Sequence, residues 1–153
     1  MEKRTRLLIS SGYHNAAAYL FTDVLNPVEF AKEMMDLDRA HDKYINSEPY
    51  TGRPLFEMIK SVTTEEKEED LDGGKPSSGD HAEQCLEELE VARKAVLEHY
   101  GEEDHKLYGQ FIVSCVEEMA KSSGGGWLGL GSEYTDVEKK HVQKLRDMFN
   151  LDN

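Results

Sequence analysis

Two Glu-x-x-His pairs stand out in this chain: Glu102 with His105, and Glu138 with His141. On a helix, residues three apart project from one face, so a carboxylate and an imidazole can close on one divalent cation. Two such pairs beside further carboxylates form the ligand pattern of di-iron carboxylate bundles. Both glutamates also have a plainer reason to be there. Glu102 opens the run Glu102-Glu103-Asp104, which suits the positive end of a helix dipole. Glu138 follows Thr135 by three residues, the spacing of a capping box. Depth also separates the pairs. At 1.5 Å per residue, His105 lies about 24 Å before the end of its helix and His141 about 9 Å into the next. Antiparallel packing would then offset them by about 15 Å along the axes. Glu102, His105, Glu138 and His141 are therefore the metal-ligand candidates, and a divalent metal is the cofactor they would hold.

Other motifs are weaker. His81 and Cys85 are four apart, with Glu88 three further on, a face that could offer soft ligands. No Cys-x-x-Cys pair accompanies them, and Cys85 and Cys115 both fall on apolar stripes. Both thiols are expected to be reduced and buried as small hydrophobes. His14 and His41 have no obvious partners in the sequence and are expected to be partly exposed or hydrogen-bonded. Gly124-Gly125-Gly126-Trp127-Leu128-Gly129 formally matches Gly-x-Gly-x-x-Gly. A dinucleotide loop must follow a strand and open a helix, whereas this one follows a helix. No phosphate-binding loop or Gly-x-Ser-x-Gly elbow is present, so no catalytic residue or organic cofactor is nominated. Trp127, Leu128 and Leu130 are apolar residues set among glycines. Either they fold back onto the core or they anchor a partner, which makes them the partner-binding candidates.

The elements that must position these groups are helical. Leu7, Leu8, Tyr13, Ala16, Ala17, Leu20, Phe21 and Val24 follow a three-to-four spacing, weakened at Gly12. Asn26-Pro27 supplies an N-cap and a proline at the first helical position, and the helix continues to about Ile45. A loop over 46–54 precedes a short helix to about Val62. Further helices are predicted from about 80 to 100, from Glu102 to Lys121, and from Asp136 to Phe149, with Gly101 separating the first two. No segment alternates at period two over a useful length. The expectation is an all-α, single-domain bundle of five to six helices.

At 153 residues the chain has the length of one domain. It holds 31 Asp and Glu against 18 Lys and Arg, a formal charge of -13. Such a chain is repelled by phosphate backbones and anionic lipid, which argues against nucleic-acid binding. Six acids and one lysine give residues 63–72 a net charge of -5. Gly73-Gly74-Lys75-Pro76-Ser77-Ser78-Gly79 follows, so 63–79 reads as an acidic, flexible linker between two helical halves. No apolar run approaches the roughly 18 residues of a membrane span. Leu7-Leu8-Ile9 is too short for a signal-peptide core, so a cytoplasmic location is expected.

From Met119 the chain runs Met119-Ala120-Lys121-Ser122-Ser123-Gly124, then Thr135-Asp136-Val137-Glu138-Lys139-Lys140-His141-Val142-Gln143-Lys144-Leu145, and ends Met148-Phe149-Asn150-Leu151 before the last two residues. This stretch resembles the C-terminal helix pair of the TerB-like family of helical tellurite-resistance and stress-response proteins. The resemblance implies an all-helical fold, a divalent-cation site in acidic loops, and roles in stress-linked or membrane-associated assemblies. Where that family carries acidic loop residues, this chain has Ser123 to Gly126 and an apolar insertion, with Glu133, Asp136 and Glu138 nearby. The expected function is a non-enzymatic interaction or stress-associated module with a protein partner or self-association. The alternative is a metal-binding protein or metalloenzyme built on the Glu-x-x-His pairs.

Overall fold

Apolar residues three and four apart make one-sided helices, and a polar chain of this length must pack those sides together. The computed structural model describes residues 1–21, 27–62, 81–122 and 136–151. Among the described residues the secondary structure is all helical, with no strand. The helices are α1 (Lys3–Ser10), α2 (Gly12–Phe21), α3 (Pro27–Ile45), α4 (Pro54–Ser61), α5 (His81–Tyr100), α6 (Glu102–Ser122) and α7 (Asp136–Met148). The all-α expectation holds, but these are seven helices rather than five or six. The acidic linker, the glycine-rich loop and Thr135 of the capping box lie outside the described residues.

The additional helix arises because the first predicted helix is broken at Ser11 and Gly12. Tyr108 of α6, fully buried, donates its hydroxyl to the Ile9 carbonyl at 2.6 Å. That oxygen is thereby bound by a side chain at the point where the helix breaks. The same hydroxyl presses on Gly12, where a Cβ would lie well inside 3.0 Å of it. Glycine here is a matter of space.

α6 is the central element, packing on α2, α3, α5 and α7. Its buried residues Phe111, Ile112, Cys115, Val116 and Met119 follow the predicted stripe. α3 lies along α6 and α2 along α5. Ala16 and Ala17 of α2 and Ala92 of α5 are fully buried, small residues that let helix backbones approach. Tyr50, Phe56 and Phe111 form an aromatic cluster with ring centroids 5.1–5.5 Å apart. The edge-on pairings of Phe111 with Tyr50 and Phe56 suit ring quadrupoles and add about 0.5–1.5 kcal/mol per pair beyond burial.

Two turns set the ends of α5 and α7. Gly101 has φ +94°, and its amide donates to the Leu97 carbonyl at 3.1 Å. Its own carbonyl accepts from the His105 amide at 3.0 Å, so one residue closes α5 and opens α6. A positive φ favours glycine at such a junction. Beyond α7, Asn150 takes φ +55°. The Leu151 amide donates to the Arg146 carbonyl at 2.9 Å and the Asn150 amide to the Asp147 carbonyl at 3.1 Å. This pair of bonds is a Schellman motif, and it turns Phe149, only 1% exposed, onto α6.

Candidate functional site

Polar groups that could do chemistry gather at two helix junctions. The first joins α2, α3 and α6. The Tyr13 hydroxyl donates to Asp38 Oδ1 at 3.1 Å, and His14 Nε2 lies 2.8 Å from the same oxygen. A carboxylate oxygen only accepts, so His14 Nε2 is the donor of that bond. One turn on, His41 Nδ1 meets Asp42 Oδ1 at 3.2 Å. The His41 ring stacks on Tyr13 at 4.3 Å and meets the edge of Phe111 at 5.5 Å.

The electrostatics follow from burial and these pairs. Burial by itself pushes the Asp38 carboxyl up. The hydrogen bond and charge of His14, the Tyr13 hydroxyl and the charge of His41 together outweigh it, and Asp38 titrates below its ordinary range. The Tyr13 phenol is pushed well above its ordinary value by burial first and by Asp38 second. Two imidazoles, two carboxylates and a phenol are the groups of a general acid–base set. Here both imidazoles bond to aspartates, and the His41 ring is stacked on Tyr13 and in edge contact with Phe111. The arrangement clamps α2 to α3 and both to α6.

The second junction joins α5, α6 and the end of α7. His105, 6% exposed, has Nε2 at 3.3 Å from Arg93 Nη1. Arg93 Nε donates to Glu90 Oε2 at 3.0 Å, and its Nη2 donates to Glu90 Oε1. The ring of Phe149 lies 5.6 Å from that of His105. Burial, then the Arg93 charge, push His105 below the ordinary histidine value against the smaller pull of Glu90 and Glu102.

The metal candidates are not brought together. His105 packs at the far end of α7, beside Phe149. His141 lies eight residues earlier, about 12 Å along the helix, with its ring 4.8 Å from Tyr19 of α2. The two imidazoles thus have different ring neighbours. Glu102 is exposed, and the Glu138 side chain lies outside the described residues. Among the described residues no group of three or more His, Cys, Asp or Glu could hold a metal ion. The guanidinium facing His105 would itself repel a cation.

Cys85 and Cys115 are buried and form no disulfide, as the apolar stripes indicated. Burial, then Glu88, push the Cys85 thiol up to about 11. Burial pushes Cys115 higher still. Both are protonated at neutral pH and therefore weak nucleophiles and ligands. The side chain of His81 lies outside the described residues, as do Trp127, Leu128 and Leu130.

A recess of about 180 Å³, open to solvent, lies between α6 and the end of α7 and is lined by Lys106, Gln110, Val113, Ser114, Arg146 and Leu151. Its mainly polar lining and small volume fall short of a typical small-molecule site of about 300–1,000 Å³. Arg146 is already paired with Glu117.

The outer faces carry a different signal. Val91 and Leu97 of α5 are 51% and 39% exposed, and Met35 of α3 is 60% exposed. On α5 these apolar residues share the surface with exposed Glu83, Glu87, Lys94 and Glu98. Among the described residues no helix is long and apolar enough to cross a membrane.

Spacing rules overlook most of these groups because their partners are far apart in sequence. Asp38 is 24 residues from His14, and Arg93 is 12 from His105. Gly109 did leave a signal, since an isolated glycine inside a helix often marks close packing. A Cβ there would sit well inside 3.0 Å of Phe149. Comparison of the chain with known protein families, curated proteins and solved structures finds no match.

Proposed function

We propose that this protein is a non-enzymatic helical interaction module whose acidic outer face docks a basic, amphipathic protein segment. The observation that carries the reading is the outward ridge of α5. Val91 and Leu97 are exposed there on either side of Lys94, among exposed Glu83, Glu87 and Glu98. Apolar side chains rimmed by carboxylates complement a segment that presents leucine-like anchors between lysines or arginines. The formal charge of -13 would steer such a segment toward the protein and repel polyanions.

The two polar junctions support a non-enzymatic role, because their imidazoles, carboxylates and guanidinium are engaged between helices. Trp127, Leu128 and Leu130 would offer a partner a second, aromatic anchor or fold onto the core. The resemblance of the C-terminal helix pair to TerB-like proteins supports a stress-associated setting for the assembly.

Affinity capture from cells tests the reading with three baits: the native chain, Val91→Lys/Leu97→Lys, and Trp127→Ala/Leu128→Ala. A partner with a basic amphipathic segment should be captured by the native chain. Its recovery should fall at least tenfold with the α5 variant and fall again as salt is raised. Equal capture of every partner by the native chain and the α5 variant would overturn it.

A further inference from the structure

His105 is a buried titratable group with a cation beside it. A guanidinium has donors and no acceptor, so at 3.3 Å His105 Nε2 must accept from Arg93 Nη1. The imidazole is then neutral, with its proton on Nδ1. Arg93 is not free to swing away, because its other nitrogens are bound to Glu90. Phe149 lies against the His105 ring and meets Tyr108 edge-on at 5.8 Å. It also sits on the bare backbone of Gly109. His105 therefore touches both the α5 cation and the aromatic residue that seats the end of α7.

We propose that His105 is an acid-operated latch, whose protonation unseats Phe149 and frees the end of α7 from α6. An added proton removes the lone pair that Arg93 donates to and places two cations in a part-buried contact. Among the described residues, the charged groups facing the ring are Arg93 and Glu90 from α5 and Glu102 from its own helix. The end of α7 contributes Phe149, which carries no charge. Glu102 is exposed and Glu90 is already engaged by Arg93, so neither neutralises a buried imidazolium well. The relief is for the ring to shift away from Arg93, and Phe149 packs against that ring.

The sign agrees with the environment. Burial and Arg93 hold His105 below the ordinary histidine value, so the unfolded or released state binds the proton more readily. The contact is at full strength near neutrality. It weakens as pH falls from about 6.5 toward the lower folded value, and the loss is complete below that value.

Amide hydrogen exchange on the whole chain at pH 7.5 and pH 5.0, corrected for intrinsic rates, tests the latch. Peptides covering 142–151 should lose about fivefold or more of their protection in acid, an order of magnitude set by proton linkage, while α3 peptides lose less. His105→Gln keeps a neutral acceptor for Arg93 and cannot take a proton, so its α7 protection should not respond to this pH change. Arg93→Gln should shrink the response to less than about twofold. An acid loss in His105→Gln equal to that of the native chain, or none in the native chain, would overturn the proposal. If His105→Gln does not fold, proton NMR of the native chain decides. The Phe149 ring signals should shift along the His105 titration curve, and signals that stay fixed through it refute the latch.

Discussion

Replacing Gly12 with alanine tests whether the break between α1 and α2 is imposed by Tyr108. The new Cβ would press against a hydroxyl that is fully buried and held by the Ile9 carbonyl at 2.6 Å. To restore ordinary contact, either the tyrosine or α2 must shift. Overpacking of this kind costs about 1–3 kcal/mol. If the hydroxyl is displaced, two buried polar groups lose their bond at about 1–2 kcal/mol more. The better helix propensity of alanine returns at most about 1 kcal/mol. Gly12→Ala should therefore destabilise the fold by about 2–4 kcal/mol. Tyr108→Phe alone, which removes one bond from the Ile9 carbonyl while a backbone N–H at the helix end still donates to it, should cost about 0.5–1.5 kcal/mol.

The double variant is decisive. Without the hydroxyl, the nearest atoms to the new Cβ are Ile112 Cδ1 and Tyr108 Cζ, both at 3.1 Å, which a shift of a few tenths of an ångström relieves. The pair should be less destabilising than the sum of the singles by about 1.5 kcal/mol or more. Urea unfolding followed by far-UV circular dichroism measures all four corners of the cycle. Additivity within about 0.5 kcal/mol would refute the claim that the hydroxyl sets the glycine requirement.

Other expectations follow from single contacts. Gly109→Ala drives a Cβ into Phe149 and should cost about 2–4 kcal/mol by urea unfolding, with protection lost first near residue 149. Asn150 holds a left-handed φ of +55° at the Schellman turn. Asn150→Ala should lower stability by about 1 kcal/mol, whereas Asn150→Gly should match or exceed the native chain. Asp38 titrates below its ordinary range when folded, so its contribution is present above about pH 4 and is lost as pH falls through the folded value. Asp38→Asn should show a shallower acid limb in a pH series of thermal melts.

The architecture is legible in the sequence wherever local chemistry punctuates it. Pro27, Pro54 and Gly101 mark helix boundaries that the structure keeps, because proline and glycine act on their own backbone. The stripe Phe111, Ile112, Cys115, Val116 is equally visible, since burial of one helix face leaves a 3.6-residue period. Gly12 weakens the helical pattern in the sequence, but the reason for the break is not visible there, because it is a hydroxyl on Tyr108, far along the chain. The Tyr13–His14–Asp38 and His105–Arg93–Glu90 groups escape for the same reason, as packing between helices has no spacing rule. The Glu-x-x-His pairs show the converse. Their spacing is that of ligands, yet His105 and His141 pack beside different neighbours, Phe149 and Tyr19.

The division of labour between inner polar groups and outer surface is tested most directly by measuring stability and partner capture on two variants together. Asp38→Asn alters a solvent-screened pair worth about 0.5–1 kcal/mol, so its melting temperature should fall by about 1–4 °C with capture unchanged. Val91→Lys/Leu97→Lys changes exposed positions; the first places a lysine four residues after Glu87, which offsets the second's placing one four residues after Arg93. Its melting temperature should stay within about 2 °C while capture falls at least tenfold. The opposite pattern, with capture lost in Asp38→Asn and kept in the α5 variant, would contradict a surface-docking module and place function at the α2–α3 junction.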